Sequence, residues 1–337
     1  MASHKTKNNA PRISVVIPNH NHNSYLKSTI TAFARQSLTP NEIIVVDDGS
    51  TDESWSTIST LAQEIDILIP IKRKKRGGIH AAVANGLKVA TGEFVSLSAA
   101  DDIFSIDFLK RSVEALKRFP EAAFAFSIPA TLSHDGSSKL AVPHFKCDES
   151  VYLSPDVVTE MLRRASFTFA ANTVVYRREK LNEMEGFRPA LHWHADWLLN
   201  MGLALRYGAC YVPQVLSHFR EQPDSYSAIS MASKHGRTEI IKNVLEIIYL
   251  GDCQDIGTRF RRAAILPEYE LNTAFELRND PVFRSHVTTR LLRRILARHF
   301  WSRLRPYSPF AFRRALHALG GARRKLVLPP DRRRTQA

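Results

Sequence analysis

The sequences ISVVIPNHN, residues 13–21, and EIIVVDDGS, residues 42–50, decide the fold of this chain of 337 residues. Each is a short β-branched run that ends in polar residues, a pattern typical of a buried strand. Apolar residues at helical spacing follow each run, and further strands are predicted at 67–71 and 93–97. Strands and helices that alternate in this way predict an α/β fold with a doubly wound, mostly parallel sheet.

Polar clusters stand where three of the predicted strands end. In a doubly wound sheet, ligands bind beyond the carboxyl ends of the strands. The clusters therefore predict a binding site along one edge of the sheet. They are Asn19-His20-Asn21, Asp47-Asp48 and Asp101-Asp102.

The overall composition is that of an ordinary globular protein, with 44% hydrophobic and 24% charged residues. The three cysteines are widely spaced, which fits neither a disulfide framework nor a metal clip and favours a reducing cytoplasm. The polar N-terminus has no signal-peptide pattern, and no stretch reaches the about 18 apolar residues of a membrane span. We expect a cytoplasmic protein whose residues 1–10 form a disordered tail.

The net charge of +14 belongs to the end of the chain, because residues 284–337 hold 14 Arg and one Lys against a single acid. The pattern predicts a helical, basic C-terminal region over residues 221–337. Its arginines either form the solvated face of helices that pack on the rest of the protein, or dock on anionic lipid. Nucleic-acid binding is disfavoured, because few aromatic residues interleave the arginines and no nucleic-acid motif appears.

Both aspartate pairs admit a structural and a functional interpretation. Asp47-Asp48 is either a strand end followed by a helix N-cap, or a carboxylate that accepts hydrogen bonds from a base or ribose. Asp101-Asp102 is either a turn or a site for Mg²⁺, which takes one or two protein carboxylates and completes its shell with phosphate oxygens.

Two further segments carry candidate chemistry. Gly77-Gly78 follows a basic run, so it is either a solvated loop or a cradle for a diphosphate. Asp196, flanked by Trp193 and Trp197, is either a helix N-cap or a general base with a raised pKa. The chain has neither a Gly-x-Gly-x-x-Gly motif nor a P-loop, which disfavours dinucleotide oxidoreductases and P-loop NTPases.

In their order and spacing, these motifs together resemble glycosyltransferase family 2. The resemblance covers residues 11–220 and rests on five blocks. They are the first strand at 13–21, the second strand at 42–52, the glycine block at 77–94, Ala100-Asp101-Asp102, and Gly186-Phe187-Arg188 followed by Ala195-Asp196-Trp197.

The resemblance implies a GT-A fold and the transfer of one sugar, with inversion, from a UDP-, GDP- or dTDP-linked donor to an acceptor hydroxyl. Asp196 would be the general base. Asp102, helped by Asp101, would hold Mg²⁺ or Mn²⁺ on the diphosphate. The nucleotide would bind to Asp48, with Asp47 close by, in a cleft lined by Pro18, Asn19 and Asn21.

The resemblance also divides the catalytic domain into a nucleotide-sugar half, about 11–127, and an acceptor half, about 128–220. The acceptor would be a glycan or a lipid-linked molecule of cell-surface polysaccharide or lipopolysaccharide synthesis. Residues 284–337 would then bring the protein to the inner face of the plasma membrane. The sugar, the nucleobase, the acceptor and the oligomeric state stay open.

The sequence departs from the family pattern at two places. Ala99 stands where the first acid of an Asp-x-Asp pattern is usual, and Ala84 takes the usual asparagine position beside Asn85. These departures keep open a non-catalytic module that binds nucleotide or glycan. There is no Gln-x-x-Arg-Trp sequence, so we expect one sugar per encounter rather than polymerisation. A nucleotidyltransferase should have a glycine-rich, arginine-containing loop directly after the first strand. Residues 18–21 stand there instead and contain neither glycine nor arginine, so this class is disfavoured.

Overall fold

The computed structural model of the protein describes residues 10–133, 137–140, 147–164, 168–184, 188–221, 237–269 and 271–304. The predicted N-terminal tail lies outside the described residues up to position 9. Gly186, Phe187 and the basic segment 305–337 also lie outside them.

The described residues form one sheet of ten strands, with helices on both faces. The strands are β1 (Ile13–Asn19), β2 (Glu42–Asp47), β3 (Leu68–Lys72), β4 (Phe94–Leu97), β5 (Ile103–Phe104), β6 (Phe124–Leu132), β7 (Ser138–Leu140), β8 (Val151–Leu153), β9 (Val174–Arg177) and β10 (Ala209–Arg220). The helices are α1 (Asn23–Ala34), α2 (Ser54–Glu64), α3 (Ile79–Val89), α4 (Phe108–Arg118), α5 (Pro155–Arg164), α6 (Arg178–Asn182), α7 (Ala195–Tyr207), α8 (Arg237–Tyr249), α9 (Gly257–Ala263), α10 (Leu271–Asn279) and α11 (Thr289–Leu304).

The sheet confirms the predicted mostly parallel α/β fold. Its strand order is β3-β2-β1-β4-β9-β6-β10-β5, with β7 on β6 and β8 on β10. β1 runs parallel to β2 and β4, β2 to β3, and β6 to β10, whereas β9 runs antiparallel between β4 and β6. Strands β1–β4, β6 and β10 therefore end at the same edge, which we call the carboxyl edge.

Helices and turns bring further residues to the carboxyl edge. α3 leads into β4 and α7 leads into β10, so each helix runs against its strand and begins at this edge. β9 is antiparallel, so the short 3₁₀ helix Ala171–Thr173 before it lies there too. The topology thus places Gly78, Asn172 and Asp196 along the same edge as the strand-end aspartates.

Apolar side chains cover both faces of the sheet, which explains why β1 and β2 are continuous apolar runs rather than alternating ones. One face carries α1, α2 and α4, and the other carries α3, α5 and α7. Successive residues of β1 alternate between the two faces. Val15 lies in the apolar cluster on the α1 face, and Val16 lies in the cluster on the α3 face. The predicted helix and strand positions up to residue 119 follow from this pattern, and the structure confirms them within a few residues.

The C-terminal helices α8–α11 pack into the same apolar core as the sheet. Ile241, Phe260 and Ile295 are fully buried in the cluster that contains Val16. The described part of the C-terminal region is therefore built onto the catalytic sheet. Across the described residues, no helix is both long and apolar enough to cross a membrane.

Two neighbouring arginines of α11 lie on different faces of the helix, one packed against the protein and one exposed. The guanidinium of Arg294 donates to the carbonyls of Ala263 and Ala264 at 3.0 and 2.9 Å, and to those of Leu162 and Arg163. These carbonyls close the C-terminal ends of α9 and α5, where a cation is favoured. Arg293, the preceding residue, is exposed.

The structure differs from the sequence-based prediction in the middle of the chain. The sequence pattern weakens after Ser127 and predicts a loop-rich crossing over residues 128–150, but β6 runs through the proposed boundary at 127/128 and ends at Leu132. The pattern also predicts a closing strand over residues 210–215, whereas β10 continues to Arg220. Both strands contain a proline and polar residues, and they pair with each other across an irregularity between Val212 and Ser217, a tertiary partnership that local pattern does not reveal.

Candidate active site

Asp47 ends β2 with a fully buried carboxylate that joins the first two strand ends. Its Oδ1 accepts a hydrogen bond from Nδ2 of Asn19 at 3.1 Å and another from the hydroxyl of Ser50. Asn19 is the last residue of β1 and lies opposite Asp47 in the parallel register. Asp47 therefore ties β1, β2 and the following loop together.

Asp48 organises the loop that precedes α3. Its carboxylate accepts hydrogen bonds from the N–H groups of Gly77 at 3.0 Å and Gly78 at 2.7 Å, and it forms an ion pair with Arg73. Gly78 has a φ of +84°, and a Cβ there would meet no atom within 4 Å. The backbone of Gly78 therefore borders open space that a ligand could approach closely.

Asn21 completes this group in a left-handed conformation with a φ of +58°. Its Oδ1 accepts a hydrogen bond from the N–H of Thr51 at 2.8 Å, and its own N–H donates to Ser50 Oγ at 3.0 Å. Pro18 pairs with Val46 one step before the strand ends. The structure thus brings the residues predicted to bind nucleotide to the ends of β1 and β2. They are Pro18, Asn19, Asn21, Asp47 and Asp48, together with Gly78, whose N–H donates to the Asp48 carboxylate.

Asp101 and Asp102 follow β4 on the same carboxyl edge. Asp102 is 3% exposed, and its Oδ1 has no hydrogen-bond partner among the residues that the structure describes. Burial, together with the neighbouring charge of Asp101, raises the pKa of Asp102 well above its ordinary value. The backbone N–H and the charge of Arg220, and to a smaller extent the nearby Asn172 side chain, offset part of this rise.

Residues outside the predicted motifs hold the Asp101-Asp102 turn. Thr29 of α1 donates from Oγ1 to the carbonyl of Ala100 at 2.8 Å. Arg220, the last residue of β10, donates from Nε to the carbonyl of Asp101 at 3.2 Å, and its guanidinium lies 4.7 Å from the ring centroid of Tyr25. Neither residue stands near a motif, so no sequence signal identified them.

The Asp101-Asp102 turn suits a divalent cation. It offers hard oxygen atoms, one of them buried without a hydrogen-bond partner, and two adjacent carboxylates whose repulsion a cation would relieve. Across the described residues there is no cluster of three or more His, Cys, Asp or Glu side chains that could cage a metal. A cation held by Asp102 and Asp101 would therefore need further oxygen ligands from a bound phosphate.

Asp196 lies in the first turn of α7 and is partly buried. Desolvation by burial raises the pKa of Asp196 to about 6, against a hydrogen bond from the Trp197 N–H at 2.7 Å and the nearby His194. Tyr176 of β9 lies close enough for its phenol to interact electrostatically with this carboxylate. A carboxyl group with such a pKa is matched to accepting a proton near neutral pH.

The histidines before Asp196 do not make a metal site within the described part of the chain. His194 is buried and its Nε2 lies 3.2 Å from Oε1 of Glu268, a residue of the C-terminal region. His192 is exposed and has a φ of +47°, a strained value for a residue with a side chain. The sequence carried no signal for the pairing with Glu268, because 74 positions of chain separate the partners.

Comparisons with known proteins agree with this geometry. The glycosyl transferase family 2 model matches residues 14–184, half of the chain. An uncharacterized protein of Mycobacterium tuberculosis is 26% identical over 248 residues, which cover 70% of this chain and 69% of that protein. A PGL/p-HBAD biosynthesis glycosyltransferase of Mycobacterium bovis is 32% identical over 103 residues, 30% of this chain and 40% of that protein.

A solved structure shares the fold over most of the chain. The crystal structure of S. aureus TarS 1-349 in complex with UDP-GlcNAc superposes with a TM-score of 0.59 at 19% identity, and covers 75% of this chain and 70% of that one. Together with the family match, this likeness confirms the predicted GT-A fold and the predicted glycosyltransferase activity. The chain belongs to glycosyl transferase family 2.

Proposed function

We propose that this glycosyltransferase moves one sugar from a nucleotide-sugar donor to an acceptor hydroxyl by a single displacement that inverts the anomeric centre. The observation that carries the proposal is the contrast between two carboxyl groups brought to one sheet edge. Asp102 has a buried oxygen without a hydrogen-bond partner, and Asp196 has a pKa raised to about 6. The first suits a cation on a diphosphate, and the second suits a general base.

In this proposal, the ends of β1 and β2 bind the nucleotide. Asp48 would accept hydrogen bonds from the nucleobase or ribose, in a cleft lined by Pro18, Asn19 and Asn21. In the structure Arg73 and the N–H groups of Gly77 and Gly78 already occupy this carboxylate. A nucleoside would therefore share the Asp48 oxygens with these donors, or displace Arg73 from them.

Asp102, with Asp101, would hold Mg²⁺ or Mn²⁺. When bound, such a cation supplies positive charge against the charge that develops on a departing diphosphate. Arg220, at the end of β10, donates to the carbonyl of Asp101 and helps to hold this turn in place. Gly78, with open space at its backbone, would let the diphosphate approach the start of α3.

Asp196 would remove the proton from the acceptor hydroxyl as that oxygen attacks the sugar. A hydroxyl is a poor nucleophile, so a positioned base accelerates its attack, typically by about 10²–10⁴-fold. The domain division at 11–127 and 128–220 then separates donor binding from the acceptor side. We propose a glycan or lipid-linked acceptor of cell-surface polysaccharide or lipopolysaccharide synthesis, in line with the name of the M. bovis relative.

A donor screen tests the proposed function. Purified full-length protein is incubated with Mn²⁺ and UDP-, GDP- and dTDP-sugars, beginning with UDP-GlcNAc, and release of nucleoside diphosphate is measured. We expect release from one donor, lost in Asp196→Asn and in Asp102→Asn. Asp66→Asn is the matched control, because Asp66 is exposed between α2 and β3, away from the carboxyl edge.

Two outcomes would contradict the proposal. Unchanged turnover in Asp196→Asn would remove that residue from the role of base. Nucleotide binding by calorimetry without turnover of any donor or acceptor would favour a module that binds nucleotide or glycan without catalysis.

We further propose that the outer face of α11 docks on anionic lipid at the inner face of the plasma membrane. Arg293, Leu296 and Phe300 are spaced three and four residues apart, so they share one helix face. Leu296 is 52% exposed and Phe300 62% exposed, beside the exposed cation of Arg293. Apolar residues flanked by arginines suit a membrane interface.

Vesicle co-sedimentation tests this docking. We expect the protein to bind vesicles that contain phosphatidylserine, with weaker binding at high salt and in the variant Leu296→Ser/Phe300→Ser. Leu250→Ser is the control, because Leu250 is 61% exposed and follows α8 instead. Equal binding by both variants, or the same binding to neutral vesicles, would refute the docking surface.

A further inference from the structure

The segment that carries Asp196 contacts the C-terminal region through a buried histidine. His194, two residues before Asp196, is 1% exposed, and its Nε2 lies 3.2 Å from Oε1 of Glu268. Glu268 lies between α9 and α10, well beyond residues 14–184 that match the family. A residue outside the family match thus contacts the start of the helix that bears the proposed base.

A second contact fixes the same segment from the other side of Asp196. The indole of Trp197 packs edge-on against Phe260 of α9, with ring centroids 6.1 Å apart. Phe260 in turn stacks on the buried His286, whose Nε2 lies 3.0 Å from the carbonyl of Ile265. Because a carbonyl only accepts, Nε2 of His286 donates, and this bond holds the chain three residues before Glu268.

The nucleotide side of the site contacts this segment as well. His80, in the first turn of α3, interacts with the backbone of His192. His192 is the residue with the strained positive φ, so contacts on both sides hold a conformation that the backbone alone would not favour. The position of Asp196 is therefore a product of three parts of the chain.

We propose that Glu268 is a positioning residue for Asp196, and that it acts through the buried imidazole of His194. This inference rests on the proposed function, since it takes Asp196 as the base. The carboxylate of Glu268 places a negative charge beside the buried imidazole of His194. His194 transmits the effect of that charge to the first turn of α7, where Asp196 lies.

The charges around the pair determine the sign of the effect. When His194 carries a proton, its positive charge lowers the pKa of Asp196 and opposes the rise caused by burial. Glu268 faces His194 from the C-terminal region, with Oε1 3.2 Å from Nε2, and holds the imidazole beside Asp196. Among the described residues, Tyr176 from β9 interacts with Asp196, and His80 from α3 interacts with His192 of this segment. Loss of the Glu268 charge should therefore raise the pKa of Asp196.

The test is the pH dependence of kcat/KM for the donor found in the screen, measured in full-length protein. Glu268→Gln keeps size and hydrogen-bonding capacity but removes the charge. We expect its acid limb to move to higher pH, so that kcat/KM falls about three- to tenfold at pH 6 and stays unchanged above pH 8. Glu268→Asp, which retains the charge, should recover part of the loss. Glu246→Gln is the matched control, because Glu246 is exposed on α8.

A double-mutant cycle then tests the route through His194. His194→Gln should shift the acid limb in the same direction, and Glu268→Gln should add nothing in that background. Additive shifts would overturn the route through His194. An equal loss of kcat/KM at every pH, with a lower thermal midpoint, would reduce Glu268 to a structural role. An unshifted acid limb in Glu268→Gln would overturn the positioning role alone. Full activity in Asp196→Asn would overturn the proposed function as well.

Discussion

The aspartate pairs Asp47-Asp48 and Asp101-Asp102 look alike in the sequence but have opposite surroundings in the structure. Asp48 accepts hydrogen bonds from two backbone N–H groups and pairs with Arg73. Asp102 is equally buried, yet one of its oxygens has no hydrogen-bond partner among the described residues. The adjacent Asp101 adds to the rise in its pKa, and the charge of Arg220 offsets only part of that rise. The first carboxylate is fully paired within the fold, whereas burial of the second disfavours its charged form.

The contrast shows that burial alone does not define the role of a carboxylate. A buried charge that is fully paired contributes to structure, and removal of one partner is costly. A buried charge without a pair is retained at an expense in stability, which points to a function. The two aspartate pairs therefore predict opposite effects of the same substitution.

Asp102→Asn should have the largest effect on activity. Loss of a metal-holding carboxylate should lower kcat by about 10²–10³-fold, because charge on the leaving diphosphate is no longer offset. Donor turnover in the presence of Mn²⁺ measures this.

Asp102→Asn should also stabilise the metal-free protein. An acid whose pKa is raised by folding destabilises the folded state at pH values above that pKa, and the penalty is relieved as the pH falls. Asparagine removes the penalty at neutral pH. A lower thermal midpoint in Asp102→Asn than in wild type, without metal, would contradict our account of this site.

Arg294→Met should cause the largest loss of stability among the residues of α11. Its guanidinium donates to four carbonyls at the ends of α5 and α9. Methionine would remove these hydrogen bonds, and, among the described residues, only the carbonyl of Arg163 would keep another side-chain donor, Arg290. We expect a loss of about 3 kcal/mol in the free energy of unfolding, measured by urea denaturation. Arg293→Met, one residue away and exposed, should change it by less than about 0.5 kcal/mol. Similar losses of stability in Arg294→Met and Arg293→Met would show that these neighbouring arginines have similar roles, unlike the two aspartate pairs.

Asp48→Asn should lower stability, in contrast to Asp102→Asn. The amide replaces one of the two accepting oxygens with an NH₂ group, which would then face donors among Arg73, Gly77 and Gly78. We expect a loss of about 2 kcal/mol in the free energy of unfolding. Opposite shifts of the thermal midpoint in the two Asp→Asn variants would sharpen the comparison, and shifts in the same direction would break it.

The pH dependence of catalysis tests the third carboxylate, Asp196, which lies between these extremes. Its pKa of about 6 implies that the base is charged at neutral pH and protonated below that value. We expect kcat/KM to fall about tenfold for each pH unit below 6 and to be level above 7. An activity that stays level down to pH 4.5 would place the base elsewhere.

Much of the donor side could be predicted from the sequence, because its signals are local. The apolar runs of β1, β2 and β4 identify buried strands, and the polar residues that follow must lie at one edge if the strands are parallel. The family resemblance then assigned roles to Asp48, Asp102 and Asp196, and the structure places these residues along that edge. Their roles stay predictions.

The environment of each carboxylate was decided only by the tertiary structure. Nothing local distinguishes Asp48 from Asp102. Gly77 and Gly78 reach the first from the start of α3, whereas Asn172, before β9, and Arg220, at the end of β10, lie near the second. The same is true of the long strands β6 and β10, which depend on each other for pairing.

By itself, then, the sequence determined the α/β fold, the sheet edge that bears the site and the types of residue along it. Tertiary structure decided that the C-terminal helices share the core of the sheet, and that Glu268 lies against His194 beside Asp196. The physical reason is range. Periodicity and turn chemistry act within a few residues, whereas the electrostatic surroundings of a buried group depend on whichever distant segments pack against it.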